Sequence, residues 1–422
     1  MDQNKQIKVE LALDKTFLTA GRKHTAFVMV KLTAPELPAK DRPAQNLSFV
    51  IDRSGSMAGE KLNYTKKATV FALGHLGGED YCSIVTFDDQ VDLLYPAALA
   101  KNKDLLKRGV ESLYPGGCTN LSGGFLKGFG EVKKYYQPER INRVLLLTDG
   151  MANTGVIEPG DLVKLTKEVA TSGITVSTFG LGDDFQEDLL KEMAEAGKGN
   201  FYYIASPDQI PSIFEQELSG LLSIVAQNIR VKAKPAPGVT ITGVLGYPPD
   251  NGDGLNLTLP DLYSSETKVL VFTLAIADLF EGESSLLELE IEYADVRQNL
   301  AMVNLQANLK TNIRADGEEP LDNLEVIKQV EIFRAAEVRE EAVQLADRGD
   351  FEGSRRLLEK QLHKISNLAH DLADEELTNE ANDLKDCLNR IMMYPNDYKS
   401  LRKHFVCEAF QVKMGRRQKK KR

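Results

Sequence analysis

The sequence predicts a multidomain chain in which a doubly wound α/β domain is inserted into an antiparallel β-sandwich and followed by a C-terminal helical region. Three observations predict it. Strict alternation of apolar and polar residues opens the chain and returns after its middle. Between those stretches, short continuous apolar runs alternate with helical stripes, and beyond Asp322 apolar residues recur at helical spacing. At 422 residues the chain exceeds one ordinary hydrophobic core.

The elements follow in order. Ile7, Val9 and Leu11 share one face opposite Lys8 and Glu10, and Ala26, Val28, Val30 and Leu32 repeat the pattern, as half-buried antiparallel strands do. Pro35, Pro38 and Pro43 punctuate the link to a different kind of sequence. Residues 47–51 read as a buried strand, 61–76 as a helix and 82–87 as the next strand, with 91–95 as an antiparallel edge. A helix over 104–110 leads to the glycine-rich loop Pro115-Gly116-Gly117-Cys118-Thr119-Asn120. A helix then starts at Ser122, and a strand occupies 144–148. Helix 162–172, strand 174–179, a short strand 201–204 and a closing helix over about 207–218 complete a parallel sheet with helices on both faces.

Alternation then resumes. Leu287, Leu289, Ile291 and Tyr293 interleave with Glu288, Glu290 and Glu292, and Val269, Val271, Thr273 and Ala275 mark another strand. A β segment on either side of the α/β region is most simply one sandwich split by an insertion. The predicted boundaries are 1–42 for the first sandwich strands, 43–225 for the α/β domain, 226–315 for the rest of the sandwich, 316–410 for the helices and 411–422 for a basic tail. In the helical region Val326, Val330, Phe333, Ala336 and Val343 form one stripe, and Leu357, Leu358, Leu362 and Ile365 form the next.

Composition bounds the function. A net charge of −10 argues against general nucleic-acid binding. Charge is segregated, because the last ten residues hold seven Lys or Arg and no acid; such a tail is solvated or meets an acidic partner. No apolar stretch approaches the roughly 20 residues that span a bilayer, and no signal-type apolar region precedes the first strand. Four cysteines without metal-ligand spacing are sparse for a disulfide framework, so a cytoplasmic location is expected.

Five oxygen-bearing residues stand out: Asp52, Ser54 and Ser56 in Asp52-Arg53-Ser54-Gly55-Ser56, then Thr119, then Asp149 in Thr148-Asp149-Gly150. Asp52 and Asp149 each end a predicted parallel strand, where side chains of an open α/β sheet converge on ligands. Carboxylate and hydroxyl oxygens suit a hard divalent cation, Mg²⁺ before Ca²⁺ or Mn²⁺. With few anionic ligands such a cation stays electrophilic.

These three elements, in this order, resemble the metal-ion-dependent adhesion site of the von Willebrand factor type A domains, over roughly residues 45–223. The resemblance implies that Asp52, Ser54, Ser56, Thr119 and Asp149 hold one metal ion whose open position takes an Asp or Glu carboxylate of a protein partner. It implies a metal-dependent interaction module, an adaptor or scaffold rather than an enzyme. The wider layout resembles bacterial proteins of the calcium-activated chloride channel-like group. It also resembles the inner coat proteins of COPII vesicles in domain order. Gly59 and Glu60 stand where integrin β subunits carry adjacent aspartates, so a second metal position is not implied. A second reading is a subunit of an ATPase or chelatase-type machine, whose motor lies on another chain.

Other features read as structural. The five histidines form no metal or nucleophile pattern, and Gly180-Leu181-Gly182 lacks the rest of a nucleotide loop. Arg53 and Asn153 read as loop residues, Cys118 as a small residue packed in its loop, and Arg348-Gly349-Asp350 as a turn between helices.

Overall fold

The computed structural model describes residues 6–36, 44–150, 152–182, 185–214, 217, 223–250, 254–277, 279–298, 301–315, 318–393 and 398–414. The basic tail beyond Met414 lies outside them. The chain forms two compact units, one of Leu37–Gln227 with Asp295–Ala301, the other of Met1–Glu36, Asn228–Ala294 and Met302–Arg422. Its first three strands, β1 (Lys8–Leu13), β2 (Leu18–Thr19) and β3 (His24–Thr33), belong to the second unit.

The α/β unit holds β4 (Gln45–Asp52), β5 (Tyr81–Phe87), β6 (Val91–Leu99), β7 (Ile141–Thr148), β8 (Thr175–Leu181) and β9 (Lys198–Ile204). Its helices are α1 (Glu60–His75), α2 (Lys103–Glu111), α3 (Leu121–Lys134), α4 (Pro159–Ala170) and α5 (Glu187–Ala196). The sheet order is β6-β5-β4-β7-β8-β9, parallel except for the antiparallel edge β6. Chain order reverses between β4 and β7, which opens a crevice beyond their carboxyl ends. Both strands are buried along their whole length, as strands covered on two faces must be.

Glycine lets α3 approach this sheet closely. A Cβ on Gly124 would lie 2.4 Å from the Phe87 ring, and one on Gly128 would lie 2.2 Å from Val50 Cγ2. Phe125 and Val132 of the same helix then join Val50, Val85, Phe87, Val144 and Leu146 in one core. The helix therefore starts, at Leu121, directly after the glycine-rich loop and over the carboxyl edge of β4.

Behind the sheet sits a buried ion pair. Arg143 of β7 donates to Glu217 at 2.8 Å, and both side chains are almost fully buried. Glu217 also accepts from Ser177, Asn200 and Tyr202 at 2.6, 2.5 and 2.9 Å. Burial alone would push the Glu217 carboxyl up, but Arg143, Ser177 and Asn200 outweigh it and hold it below the usual glutamate value. Residues 210–214 and 217 are helical, so this network ties the closing helix to three strands.

The second unit contains β10 (Ile224–Pro235), β11 (Val239–Leu245), β12 (Asn256–Leu259), β13 (Leu262–Tyr263), β14 (Thr267–Ile276), β15 (Gly282–Asp295) and β16 (Ala301–Arg314). One sheet has the order β1-β3-β14-β11, and the other has the order β12-β10-β15-β16-β2 with β13 beside β10. Each sheet thus mixes strands from before and after the α/β segment. In the first sheet Lys8 pairs with Thr33 and Thr267 also pairs with Thr33, so β3 is the shared central partner.

Four helices follow: α6 (Leu324–Asp347), α7 (Phe351–Leu372), α8 (Glu375–Met393) and α9 (Tyr398–Lys413). Val326, Val330 and Phe333 of α6 pack on Met29 and Val271 of the first sheet. Ile332 and Ala336 on the same helix meet Ala369, Leu377 and Val412 of the other three. Arg348-Gly349-Asp350 punctuates two helices. Gly349 takes the left-handed φ of 80° after α6, and Asp350 caps α7 by accepting from Gly353 N–H at 2.8 Å.

Three helices differ from the sequence expectation. Helix α5 is not expected from sequence, because its apolar residues Leu189, Leu190, Met193 and Ala194 are too few and too close to loops to announce a helix. The last two helices, α8 and α9, carry no apolar stripe among those the sequence marks, since their polar first turns show no apolar periodicity.

The buried ion pair yields a test. Glu217→Gln removes the buried carboxylate that faces the Arg143 guanidinium at 2.8 Å and should destabilise the α/β unit by about 3–5 kcal/mol in urea unfolding. Because Glu217 is held below its ordinary value of 4.5, its stabilisation is complete above that pH and fades as pH falls through the lower folded value. The gap between the wild type and the variant should therefore narrow on acidification, and a gap that widens would contradict this account.

Candidate metal centre

Four loops meet beyond the carboxyl ends of β4 and β7. The first carries Asp52, Ser54 and Ser56. Asp52 is fully buried; its Oδ1 accepts from Ser54 N–H at 2.8 Å and its Oδ2 accepts from the Thr148 hydroxyl at 2.6 Å. Thr148 Oγ1 in turn accepts from Gly150 N–H at 2.8 Å, so the ends of β4 and β7 are cross-braced. Ser54 and Ser56 place their hydroxyl oxygens 3.1 Å apart, with Ser54 buried and Ser56 exposed. A turn of 3₁₀ helix at Gly55–Met57, pinned by fully buried Met57, sets this spacing.

The second loop brings Thr119. Gly116 N–H donates to Arg53 C=O at 2.6 Å and Gly55 N–H donates to Gly117 C=O at 2.8 Å. The loop of residues 115–120 is thereby stitched to the serine loop. A Cβ on Gly116 would fall 1.7 Å from Asp88 Oδ2 and one on Gly117 would fall 2.6 Å from Asp89 Oδ1, so a side chain at 116 would displace the Asp88 carboxylate and one at 117 would push Asp89 aside. The third loop, after β5, supplies Asp88. Its carboxylate lies 3.1 Å from the Arg53 guanidinium, and its C=O accepts from Asn120 N–H at 2.7 Å.

The fourth loop follows β7. Asn153 Oδ1 accepts from Thr119 N–H at 2.7 Å, and the N–H groups of Asn153 and Thr154 donate to Thr119 C=O at 3.1 and 3.2 Å. Thr119 is thus held through its backbone. Among the described residues its hydroxyl bonds to none of the other four site residues. Arg53 and Asn153 act as loop braces, as their sequence context suggests, with Arg53 also 2.9 Å from Asp92 and 5.7 Å from the Tyr114 ring. Cys118 differs from expectation: it is exposed, because the glycine pair turns the loop so that Thr119, not Cys118, faces inward.

Charge at the centre is unbalanced. Burial pushes the Asp52 carboxyl up to about 6, against the hydrogen bonds from Ser54 and Thr148 and with help from the negative charge of Asp149. Asp149 is fully buried, its Oδ2 lies 3.3 Å from Lys61 Nζ, and its Oδ1 has no hydrogen-bond partner among the described residues. A buried carboxylate oxygen without a partner costs about 1–3 kcal/mol or more unless something positive meets it. Two carboxylates and three hydroxyls offer hard oxygen donors, which fits a divalent cation of the Mg²⁺, Ca²⁺ or Mn²⁺ kind. Among the described residues no three His, Cys, Asp or Glu side chains cluster as a metal site, so a cation here rests on hydroxyls beside two carboxylates.

Thr148, Lys61 and Asp88 escape the sequence reading. Thr148 is visible only as the neighbour of Asp149. Lys61 lies in the first turn of a helix, where nothing in sequence ties it to a residue 88 positions away.

Comparison with known proteins identifies the domain. The family model described as von Willebrand factor type A domain matches residues 46–216. The uncharacterized protein YfbK of Escherichia coli (strain K12) is 29% identical over 52% of this chain and 38% of its own length. The uncharacterized protein sll0103 of Synechocystis is 24% identical over 72% of this chain and 75% of its own. Human inter-alpha-trypsin inhibitor heavy chain H3 is 29% identical, but only 22% of it is covered. Among solved structures, a von Willebrand factor type A protein from Catenulispora acidiphila superposes with a TM-score of 0.67 over 89% of this chain and 90% of its own, at 19% identity. The ArnB paralog VWA2 from Sulfolobus acidocaldarius does so with a TM-score of 0.64 over 97% of this chain and 99% of its own, at 20% identity. These two show that the fold extends beyond the α/β unit. The chain carries a von Willebrand factor type A domain.

Two outcomes test the site. Saturating Mn²⁺ at a hundred times its dissociation constant should raise unfolding free energy by about 2.7 kcal/mol, and Asp149→Ala should abolish the gain. Lys61→Met removes a competing positive charge and should tighten Mn²⁺ binding in calorimetric titration; weaker binding would show that Lys61 supports the site rather than opposes it.

Proposed function

We propose that this protein is a metal-dependent interaction module, an adaptor or scaffold that grips a carboxylate of a protein partner. The observation that carries the reading is the buried Asp149 Oδ1, without a hydrogen-bond partner among the described residues, beside buried Asp52, with the Ser54 and Ser56 hydroxyls 3.1 Å apart at the same strand ends. When bound, Mg²⁺ supplies a Lewis-acidic position that a partner Asp or Glu can complete. Asp52 and Asp149 provide the charge that retains the ion. Ser54, Ser56 and Thr119 provide neutral oxygens that leave it electrophilic enough to attract an incoming anion.

The rest of the chain's role follows from the site's needs. Thr148 orients Asp52 through a 2.6 Å hydrogen bond, and Asn153 fixes the Thr119 backbone. No residue here is assigned an acid, base or nucleophile role, because the buried carboxylates are engaged in holding charge rather than in moving protons. The two mixed sheets, read as a split β-sandwich, and the four helices carry and present the domain, as in the calcium-activated chloride channel-like group. Among the described residues Cys82, Cys118 and Cys387 are free thiols, which supports placing the protein in the cytoplasm.

The double variant Asp52→Ala/Ser54→Ala should fold but lose Mg²⁺-dependent capture of partner proteins, and EDTA should release partners from the wild type. Capture that ignores both EDTA and the substitutions would overturn the reading.

A further inference from the structure

The second unit leaves one long strand edge unused. β16 runs for 14 residues. Among the described residues it meets, besides its neighbour β15, only β2, and there only at Ile313↔Leu18 and Arg314↔Thr19. Among the described residues no strand borders residues 302–311 on that side.

The direction of its backbone groups can be read. Exposure alternates without a break over residues 302–314, even-numbered residues exposed and odd-numbered ones half-buried or buried, so β16 carries no bulge. The Arg314 carbonyl accepts from Ala20 N–H at 2.8 Å, on the β2 side. Strict alternation then points the backbone N–H and C=O of Met302, Asn304, Gln306, Asn308 and Lys310 toward the open edge, beyond the stretch that β2 occupies.

Protein edges of this length are ordinarily guarded by charge, proline or a bulge. Residues 301–309, Ala-Met-Val-Asn-Leu-Gln-Ala-Asn-Leu, contain no charge, proline or glycine. Inward-facing Val303, Leu305 and Ala307 are only half-buried along this stretch, whereas Leu309, Thr311 and Ile313 further along are buried. Met302 is 57% exposed. An added strand would cover the half-buried residues and satisfy the backbone groups together.

We propose that this edge pairs with the same edge of a second copy of the chain, β16 against β16, antiparallel across a two-fold axis. Self-complementarity selects this occupant. Pairing centred on Gln306 sets Asn304 opposite Asn308 and Met302 opposite Lys310. Pairing centred on Leu305 sets Asn304 opposite Gln306 and Met302 opposite Asn308. Like charges meet in neither register, and facing amide side chains hydrogen-bond across the axis. A strongly charged partner strand finds no counter-charge on this stretch. The proposal is independent of the metal centre.

Light scattering on the full chain over a wide concentration range should approach twice the 46.8 kDa chain mass. Gln306→Pro removes an N–H that faces only the open edge, and Asn304→Lys/Gln306→Lys/Asn308→Lys sets like charges against each other; both should give the single-chain mass with an unchanged thermal midpoint. Hydrogen exchange on the wild type should slow over residues 301–312 as concentration rises, which tests the idea even where a variant misfolds. A wild type that stays at single-chain mass, dimers retained by both variants, or exchange indifferent to concentration would each overturn it.

Discussion

Two carboxylates held out of water at neighbouring strand ends are the constraint on which the site depends. Asp52 ends β4 and Asp149 directly follows its partner strand β7; both are fully buried, with the Lys61 amine beside Asp149. Such charge is costly unless opposed. The surrounding architecture serves that need. Parallel pairing of β4 and β7 sets the separation, Thr148 braces the ends, and Gly124 and Gly128 let α3 sit close enough to bring Thr119 over the same edge. Remove the glycines and Phe87 or Val50 would hold the helix, and with it Thr119, away.

Much of this is legible in sequence because it depends on local pattern. The parallel strands announce themselves as continuous apolar runs, and the order of Asp52-x-Ser54-x-Ser56, Thr119 and Asp149 marks three strand-end or loop positions that this topology brings to one crevice. What stays hidden depends on contacts between distant segments. Lys61 looks like any first-turn lysine, and Asp88 like any hairpin aspartate, until the fold brings the first to Asp149 and the second to Arg53. The exposure of Cys118 escapes the sequence for the same reason, since which residue of a glycine-rich loop turns inward is decided by what it packs against. Arg143 and Glu217 are separated by 74 positions, and no periodicity predicts that a charged residue in a core strand will find its partner in the closing helix.

The second unit shows the same division between pattern and contact. Alternation in β3, β14 and β15 predicts half-buried strands, and the pairing of β3 with β14 across the intervening α/β segment is the structural form of that expectation. Which edge each sheet would leave open is not written in any one strand. It follows from β2 being two residues long beside a strand of 14. The proposed metal centre and the proposed open edge therefore lie on different units and rest on different physics, one on buried charge and the other on backbone hydrogen bonds.

The central claim is that a divalent cation occupies the crevice beyond β4 and β7 on oxygens of this chain. An anomalous-difference map from crystals soaked in Mn²⁺ addresses it most directly. The account predicts one strong peak within coordination distance of the Ser54, Ser56 and Thr119 hydroxyl oxygens and close to the Asp52 and Asp149 carboxylates. A map with no peak there, or with Lys61 Nζ still bonded to Asp149 and the ion elsewhere, would contradict it.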